Sequence, residues 1–294
     1  MDAKRKSQAE APIDSSILDF LTGLSQEVEA KMVDFSAFPD VAVRIRQVLA
    51  DDNCSPADVA RVIGVEPGMS ARLLQMANSV ALNPSGTKVT ELKTAIARIG
   101  FSNVRTASIA YAMEQLRKSS ELVAIREPLS ELWERSVKVA AMAHVAARRW
   151  SSVSPDKALL AGLMHGIGHA YILVRSVNYP ALFSDPAAYE RVAGEWHAPV
   201  AKAVLDSWEM APEIVAAVEQ FEQFDRETGD EADLTDVLAI AVQLVAFQND
   251  PEVMEAELRK NPASLRMGLT HESVKKVLVD TADELASLNA VLGG

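Results

Sequence analysis

Residues 91–113 read ELKTAIARIGFSNVRTASIAYAM, and this stretch decides the predicted fold class. Before the glycine, apolar residues such as Ile96 and Ile99 recur at the three- and four-residue spacing of an amphipathic helix. Residues 101–116 continue the same periodicity beyond it. Gly100 is typical of a helix end, because a residue without Cβ adopts backbone conformations that strain other residues. The stretch predicts two short helices separated by a glycine.

The rest of the chain repeats this pattern of amphipathic segments separated by proline or glycine, and Ser55 followed by Pro56 predicts an N-cap with proline at the first helical position. Alternating stretches such as Tyr171 to Val177 are too isolated to indicate a sheet. No fixed-period repeat indicates a solenoid. The sequence therefore predicts an all-α protein, an irregular multi-helix bundle. Helices are predicted at residues 17–32, 56–63, 67–78, 90–99, 101–116, 128–150, 155–165, 196–207, 212–224, 233–248 and 271–291, with one more after Pro39.

The composition indicates a globular chain in a reducing compartment. With 294 residues and 49% hydrophobic content, the chain can bury a sizeable core. Cys54 is the only cysteine, so neither an internal disulfide nor a cysteine zinc site is expected. The start MDAKRKSQAEAPIDSS lacks the apolar core of a signal peptide, and no later run approaches the length of an uninterrupted apolar span. We expect a cytoplasmic protein without a membrane partner.

Charge is distributed unevenly along the chain. Residues 1–150 carry 19 Lys and Arg against 18 Asp and Glu, whereas residues 151–294 carry 10 against 23. The acidic second half would repel phosphate backbones, so nucleic acid is not an expected partner. A protein with a basic surface suits that half better.

The same patterns predict four parts of the chain. Residues 1–16 have the composition of a disordered polar tail, and residues 17–34 hold an N-terminal helix. Residues 35–225 form the main helical domain, and residues 226–294 form a C-terminal helical extension. The apolar face of the N-terminal helix is expected to pack on the body or on a second subunit, which leaves a homodimer open.

Two ordered sets of sequence blocks carry a family resemblance. The first set is FPDVAVRIRQVLAD (38–51), VARVIGVEPGMSARLLQMANS (59–79) and the stretch 91–113; the second is LWERSVKVAAMAHVAARRW (132–150), ALLAGLMHGIGHAYIL (158–173) and WHAPVAKAVLDSWEMAPEIVAAVEQFEQF (196–224). From about Phe35 to Phe224 the chain resembles the HDOD family, bacterial all-helical relatives of the HD phosphohydrolases. The resemblance implies an HD-domain-like bundle of two adjoining helical lobes. It also implies a signal-transduction role through contacts with other signalling proteins.

The resemblance implies a degenerate metal site. HD phosphohydrolases carry an upstream histidine, an adjacent His-Asp pair, further histidine and a distal aspartate. Here the pair is His165-Gly166, and glycine offers no ligand. Arg135 stands near the position of the upstream histidine, and a guanidinium does not ligate a cation because it stays protonated.

Other expected ligand positions are also altered. Residues 219–221, Glu-Gln-Phe, stand where further histidine is expected, and Val242 or Gln243 stands near the distal aspartate. Only His165 and His197 remain on the pattern. We therefore expect no catalytic residues, no bound metal and no cofactor.

The remaining residues leave alternatives open. Arg135, His165, His169 and His197 are predicted to line a vestigial cleft that could hold a small anion. His165 and His169 would share a helical face if the helix continued through two glycines, and with His197 and Glu219 they could then hold zinc. The expectation we favour is that these histidines donate to backbone carbonyls at helix ends.

The sequence leaves two further functions open besides a non-enzymatic role. The first is a divergent metal-dependent phosphohydrolase. The second is a helix-turn-helix DNA-binding regulator, because residues 55–79 form two short predicted helices with Arg72, Gln75 and Asn78 on the second. Outside these patterns, His144 is interpreted as a core or boundary residue and His271 as part of a helix start.

Overall fold

A computed structural model describes residues 15–30, 33, 40–51, 53–83, 86–226, 228–280 and 282–293. Throughout these residues the regular elements are helices and no strand occurs, which confirms the all-α prediction. Residues 1–14 of the predicted tail lie outside the described residues. The helices are α1 Ser15–Glu29, α2 Asp40–Leu49, α3 Pro56–Ile63, α4 Pro67–Ala77, α5 Leu92–Lys118, α6 Arg126–Trp150, α7 Pro155–Met164, α8 Ile167–Ser176, α9 Pro180–Ser184, α10 Pro186–Ser207, α11 Pro212–Gln220, α12 Leu234–Ala246, α13 Pro251–Lys260, α14 Pro262–Arg266, α15 His271–Asp280 and α16 Ala282–Gly293, with a 3₁₀ segment at Ser120–Ile125.

Helix starts follow the caps that the sequence predicts. Ser55 caps α3: its hydroxyl accepts a hydrogen bond from the amide of Asp58, and the Asp58 carboxylate accepts one from the amide of Ser55. Pro56 occupies the first helical position, where its missing N–H leaves no bond unmade. Proline opens α4, α7, α9, α10, α11, α13 and α14 in the same way.

Gly100 divides α5 into two helical halves. Its φ of 76° lies in the region that favours glycine, which confirms the predicted break. Its ψ of 164° differs from the left-handed helical value, so the chain extends at this point and a new helix begins directly afterwards. The two halves form one element because no loop separates them.

The helices form two adjoining lobes. Helices α2 to α5 pack on one another in the first lobe, and α6, α7, α8, α10, α11 and α12 form the second. Helix α5 also packs on α6 and α7 and so joins the lobes. At the centre of the second lobe α6 crosses α7 closely, since a Cβ added at Gly162 would lie 2.6 Å from the Cα of Ala140.

Helix α1 packs on the body of the same chain. Phe20 and Leu24 are fully buried, and the Phe20 ring meets the ring of Tyr179 edge-on at 5.1 Å between centroids. The Glu27 carboxylate accepts a hydrogen bond from the Tyr171 hydroxyl at 2.8 Å. Of the two packing partners expected for this helix, the structure shows the body; the helix begins at Ser15, two residues before the predicted start.

The helices after residue 225 do not form a separate unit among the described residues. Helix α12 packs against α6, α7 and α11 in the core, and α16 packs against α4, α5 and α6. The single helix predicted over 271–291 is two helices, α15 and α16. Helices α8, α9, α13 and α14 were not predicted, and α10 begins at Pro186, ten residues before the predicted 196.

The segment Pro155–Ser176, which comprises α7 and α8, is long and apolar enough by composition to cross a membrane, with a mean hydropathy of 1.3. In the structure, 83% of its apolar window is buried inside the protein. The segment is therefore part of the helical core, and it carries two of the candidate site residues.

Candidate functional site

The candidate site lies at the break between α7 and α8. Helix α7 ends at Met164, His165 caps it, and α8 begins at Ile167. Gly166 between them has φ −91° and ψ 4°, which is not helical. His165 and His169 therefore do not share one continuous helical face, and the condition for a two-histidine zinc motif on a single helix is not met.

His165 is buried with its ring fixed by a backbone carbonyl. Its Nδ1 lies 2.7 Å from the carbonyl oxygen of Gly162, one turn earlier in α7, so Nδ1 carries the proton and donates. The ring also meets the Phe221 ring edge-on at 5.9 Å. Burial lowers the pKa of His165 to about 4, although the bond to Gly162 opposes that shift. For His165 the geometry agrees with the expectation that the site histidines donate to carbonyls at helix ends, whereas His197 pairs with the Glu222 carboxylate.

His169 and His197 stack against each other across α8 and α10. Their ring centroids lie 4.4 Å apart with the planes tilted by 31°. Burial, followed by the nearby charge of His197, lowers the pKa of His169 to about 4. Protonation of His169 is disfavoured because its ring is largely buried and lies against a second imidazole.

Glu222 completes the cluster, and the sequence did not point to it. Its Oε2 lies 3.2 Å from Nε2 of His197, and the hydrogen bond lowers the pKa of the Glu222 carboxyl. The predicted carboxylate, Glu219, accepts instead a hydrogen bond from Lys202 at 2.8 Å. Helix α11 ends at Gln220, so helical spacing could not place Glu222. The Glu222 side chain is 61% exposed, so solvent weakens its pairing with His197.

Arg135 is exposed on α6 and lies close to this cluster. Its positive charge contributes to lowering the pKa of His165, His169 and Glu222. The four residues predicted to line a vestigial cleft are therefore neighbours in space. Since Glu222 faces the same histidines, its carboxylate supplies a negative charge near the guanidinium of Arg135.

The space beside Gly166 is filled by α6. A Cβ added at Gly166 would lie 2.9 Å from the Ser136 hydroxyl and 3.1 Å from Cδ1 of Leu132. A carboxylate at this position would have to displace both side chains. The backbone angles of Gly166 would suit any residue, so the close packing, and not the backbone conformation, favours glycine at this position.

The residues present do not fit the metal centre of HD phosphohydrolases. Val242 packs against the core, and Gln243 accepts a hydrogen bond from Asn261 at 2.9 Å, so neither offers a distal carboxylate. Within the part of the chain that the structure describes, no three His, Cys, Asp or Glu side chains are grouped so that they could hold a metal ion. Glu219 takes no part, as described above.

The helices α3 and α4 do not present a base-reading surface. Arg72 is 6% exposed and donates to the Glu114 carboxylate and to the Leu292 carbonyl. The Asn78 side chain caps α4 and bonds to the Leu74 carbonyl and to both the amide and the carbonyl of Val89. Of the three side chains considered for base contacts, only Gln75 is exposed.

His144 is a core residue, as interpreted from the sequence. It is 4% exposed on α6, and its Nδ1 lies 3.2 Å from the carbonyl of Pro155 at the start of α7. Burial lowers the pKa of His144. Helix α15 begins at His271, which agrees with the predicted helix start.

Together these features define an all-helical domain of the HD type with a buried cluster of histidines at the break between α7 and α8. The HDOD domain model matches residues 35–224. The chain belongs to the HDOD family. No curated protein matches the sequence.

Solved structures of bacterial proteins share the fold. A Shewanella amazonensis protein described as "Putative metal-dependent phosphohydrolase" is 26% identical, with a TM-score of 0.71 over 95% of this chain and 99% of that chain. A Geobacter sulfurreducens HDOD domain protein of unknown function is 19% identical, with a TM-score of 0.63 over 95% and 96% of the two chains. A Marinobacter aquaeolei protein described as "Putative signal transduction protein" is 16% identical, with a TM-score of 0.56 over 95% of this chain and 66% of that chain.

Proposed function

We propose that this chain is a non-enzymatic regulatory protein of bacterial signal transduction, which acts in the cytoplasm through contacts with other proteins. The proposal extends the family assignment, and it agrees with the signal-transduction description of the Marinobacter neighbour. It assigns no catalytic residue, no metal and no cofactor to the chain.

The packing at Gly166 carries the proposal. Metal affinity grows with the number and charge of the ligands, and a central carboxylate is needed to offset the lost hydration of a divalent cation. Here Ser136 and Leu132 fill the space into which such a side chain would project. The absence of a carboxylate at residue 166 therefore goes together with the close packing of α6 against the α7–α8 break, and replacing Gly166 alone would not make room for one.

The electrostatics of the cluster support the same proposal. Arg135 places a permanent positive charge near His165 and His169, and that charge opposes the approach of a cation. The cluster suits a fixed polar element of the fold better than a hydrolytic centre.

A metal and activity measurement tests this proposal. Protein purified without a histidine tag would be examined by elemental analysis and assayed on cyclic dinucleotides and generic phosphoesters with added manganese, iron or zinc. We expect no stoichiometric metal and no turnover, and Gly166→Asp alone should not create activity. Stoichiometric metal together with turnover that is lost in His165→Ala would overturn the proposal.

A divergent metal-dependent phosphohydrolase is the second candidate. The description of the Shewanella neighbour favours it; His169, His197 and Glu222 lie side by side but are not grouped as metal ligands in the described part of the chain. The same assay separates the two functions. A hydrolase built on these three residues would lose turnover in Glu222→Gln and retain it in Glu219→Gln, since Glu219 pairs with Lys202 elsewhere.

A further inference from the structure

Helix α16 lies against α4, α5 and α6 and presents one regular face to them. Glu284, Leu288 and Leu292 recur every fourth residue, and all three are buried. Ala286 and Ala290 point to solvent on the opposite side. The helix is thus amphipathic, with a carboxylate at one end of its buried face and leucines along the rest.

Polar contacts fix the position of this helix. The Glu284 carboxylate accepts a hydrogen bond from Arg148, and its other oxygen lies 3.7 Å from Nε2 of His144. At the opposite end, Arg72 donates to the Leu292 carbonyl at 3.1 Å, where a cation also interacts favourably with the helix dipole. The surface beneath α16 therefore carries positively charged donors at both ends of an apolar groove.

Two polar side chains beneath α16 also bond to residues outside α16. Arg72 is paired with Glu114 of α5, and His144 is bonded to the Pro155 carbonyl. By contrast, two buried oxygens of α16, Oε1 of Glu284 and Oδ1 of Asn289, have no hydrogen-bond partner. Buried acceptors without partners oppose docking, so α16 is held less well than its burial alone would indicate.

We propose that this groove between α4, α5 and α6 is a docking site for an amphipathic helix of a partner protein, and that α16 occupies it as an autoinhibitory segment. The partner helix would carry a carboxylate followed by leucine-like residues four and eight positions later, as α16 does. The inference rests on the proposed function in one respect, since it names the surface for the protein contact. An acidic partner helix fits because Arg148 faces the position of the carboxylate and Arg72 meets the carboxyl end of the helix.

A peptide titration on the full chain tests the groove. In the double variant Leu288→Asp/Leu292→Asp, α16 is expected to leave the groove, because two carboxylates would otherwise be buried. In the control Ala286→Asp/Ala290→Asp, the new charges face solvent and α16 should stay docked. The probe is a fluorescein-labelled peptide of residues 282–294, followed by fluorescence anisotropy.

We expect the peptide to bind the leucine variant at least about tenfold more tightly than the wild type or the control, because competition with a docked segment lowers apparent affinity. Binding should be lost when the protein also carries Arg148→Glu. It should return in part with a peptide carrying Glu284→Lys. This charge-swap rescue would not occur if the peptide adhered to exposed apolar surface in general.

Hydrogen exchange on the unmodified chain gives a second readout. Amides of α16 are expected to exchange through local opening, well before those of α6. Exchange of α16 only together with α6, or global unfolding of the leucine variant, would overturn the proposal because α16 would then be a fixed part of the core. A folded leucine variant that does not bind the peptide would overturn it as well.

Two further outcomes distinguish a failure of the docking proposal from a failure of the proposed function. Dimerisation of the wild type through exchanged α16 helices, seen by light scattering, would replace the partner protein with a second copy of this chain and overturn the assignment. Phosphoester turnover would overturn the proposed function and leave the peptide titration unchanged. The two proposals therefore fail by different measurements.

Discussion

At the scale of single residues, burial favours the neutral forms of His165 and His169. His165 is 6% exposed, and His169 is packed against a second imidazole. For either ring, the hydration energy that the charged form loses on burial exceeds the favourable interactions with neighbouring groups. The one bond that His165 makes uses Nδ1 as a donor, which the neutral ring satisfies. At physiological pH these two rings are therefore neutral, and the charges beside them belong to Arg135 and Glu222.

This neutrality predicts acid sensitivity. The pKa of His165 and of His169 falls from 6.5 to about 4 on folding, so between these pH values the unfolded chain binds protons that the folded chain does not. The free energy of unfolding should be independent of these groups above pH 6.5 and should fall as the pH drops from 6.5 toward 4, by up to about 1.4 kcal/mol per pH unit for each histidine. Urea unfolding at neutral pH and at about pH 5 measures the effect.

The variant His165→Asn checks the assignment, because an amide can still donate to the Gly162 carbonyl and does not titrate. Its unfolding free energy should change less with pH than that of the wild type, by about one histidine's share. An unchanged pH dependence would show that His165 is not responsible.

Gly166 gives a second prediction at this scale. Gly166→Ala should lower the free energy of unfolding by about 1–3 kcal/mol, because the new methyl group meets Ser136 and Leu132. Gly229→Ala is the matched control, since a Cβ there has no neighbour within 4 Å. Thermal or urea unfolding of both variants measures the difference, and equal stabilities would contradict the packing described at the helix break.

At the scale of elements, the approach of α8 to α10 decides where the histidines lie. A Cβ added at Gly168 would lie 1.9 Å from the carbonyl oxygen of His197, so these helices cross with almost no space between their backbones. Pro199 lies inside α10 close to this crossing and lacks the amide that would bond the preceding turn. The stacking of His169 on His197 depends on that approach.

Gly168→Ala should therefore destabilise the protein by about 3 kcal/mol or more, because the two helices must move apart. Gly194→Ala in α10 has no neighbour within 4 Å and should stabilise it by up to about 1 kcal/mol, as expected for glycine replaced by alanine in a helix. Urea unfolding of the pair gives opposite signs if the crossing is correct. A loss of stability in both variants would contradict it.

The elements also show which features of the fold the sequence pattern predicts and which it does not. The cap at Ser55 and the break at Gly100 follow from local chemistry, so both were predicted. Helix α8 was missed because a helix buried on most sides shows no amphipathic pattern. Glu222 was missed because it follows the end of α11, where position depends on the path of the chain and no longer on helical spacing.

At the scale of the whole molecule, a buried charge network ties the later helices to the core. Asp236 of α12 is 2% exposed and pairs with Arg226, which follows α11, and with Arg266 of α14. The same carboxylate closes the capping box of α12 with Asp233. The network explains why the chain after residue 225 packs as part of the domain, a tertiary effect that no local sequence pattern reports.

Asp236→Ala should lower the free energy of unfolding by about 3 kcal/mol, because it leaves Arg266 without its buried partner, whereas Arg226 keeps its pair with Asp233. The control Glu255→Ala removes a carboxylate that pairs with Arg259, whose side chain is 77% exposed, and should change stability by about 0–1 kcal/mol. Urea unfolding measures both. Similar small losses would show that the network contributes little to holding α12 and α14.

The burial of Pro155–Ser176 has a consequence for biogenesis. While the chain is being synthesised or is unfolded, this stretch is an exposed hydrophobic segment of the kind that chaperones and quality-control proteases bind. Variants that loosen the α8–α10 crossing should therefore accumulate poorly in cells and aggregate on refolding, even where the remaining fold is only modestly weakened.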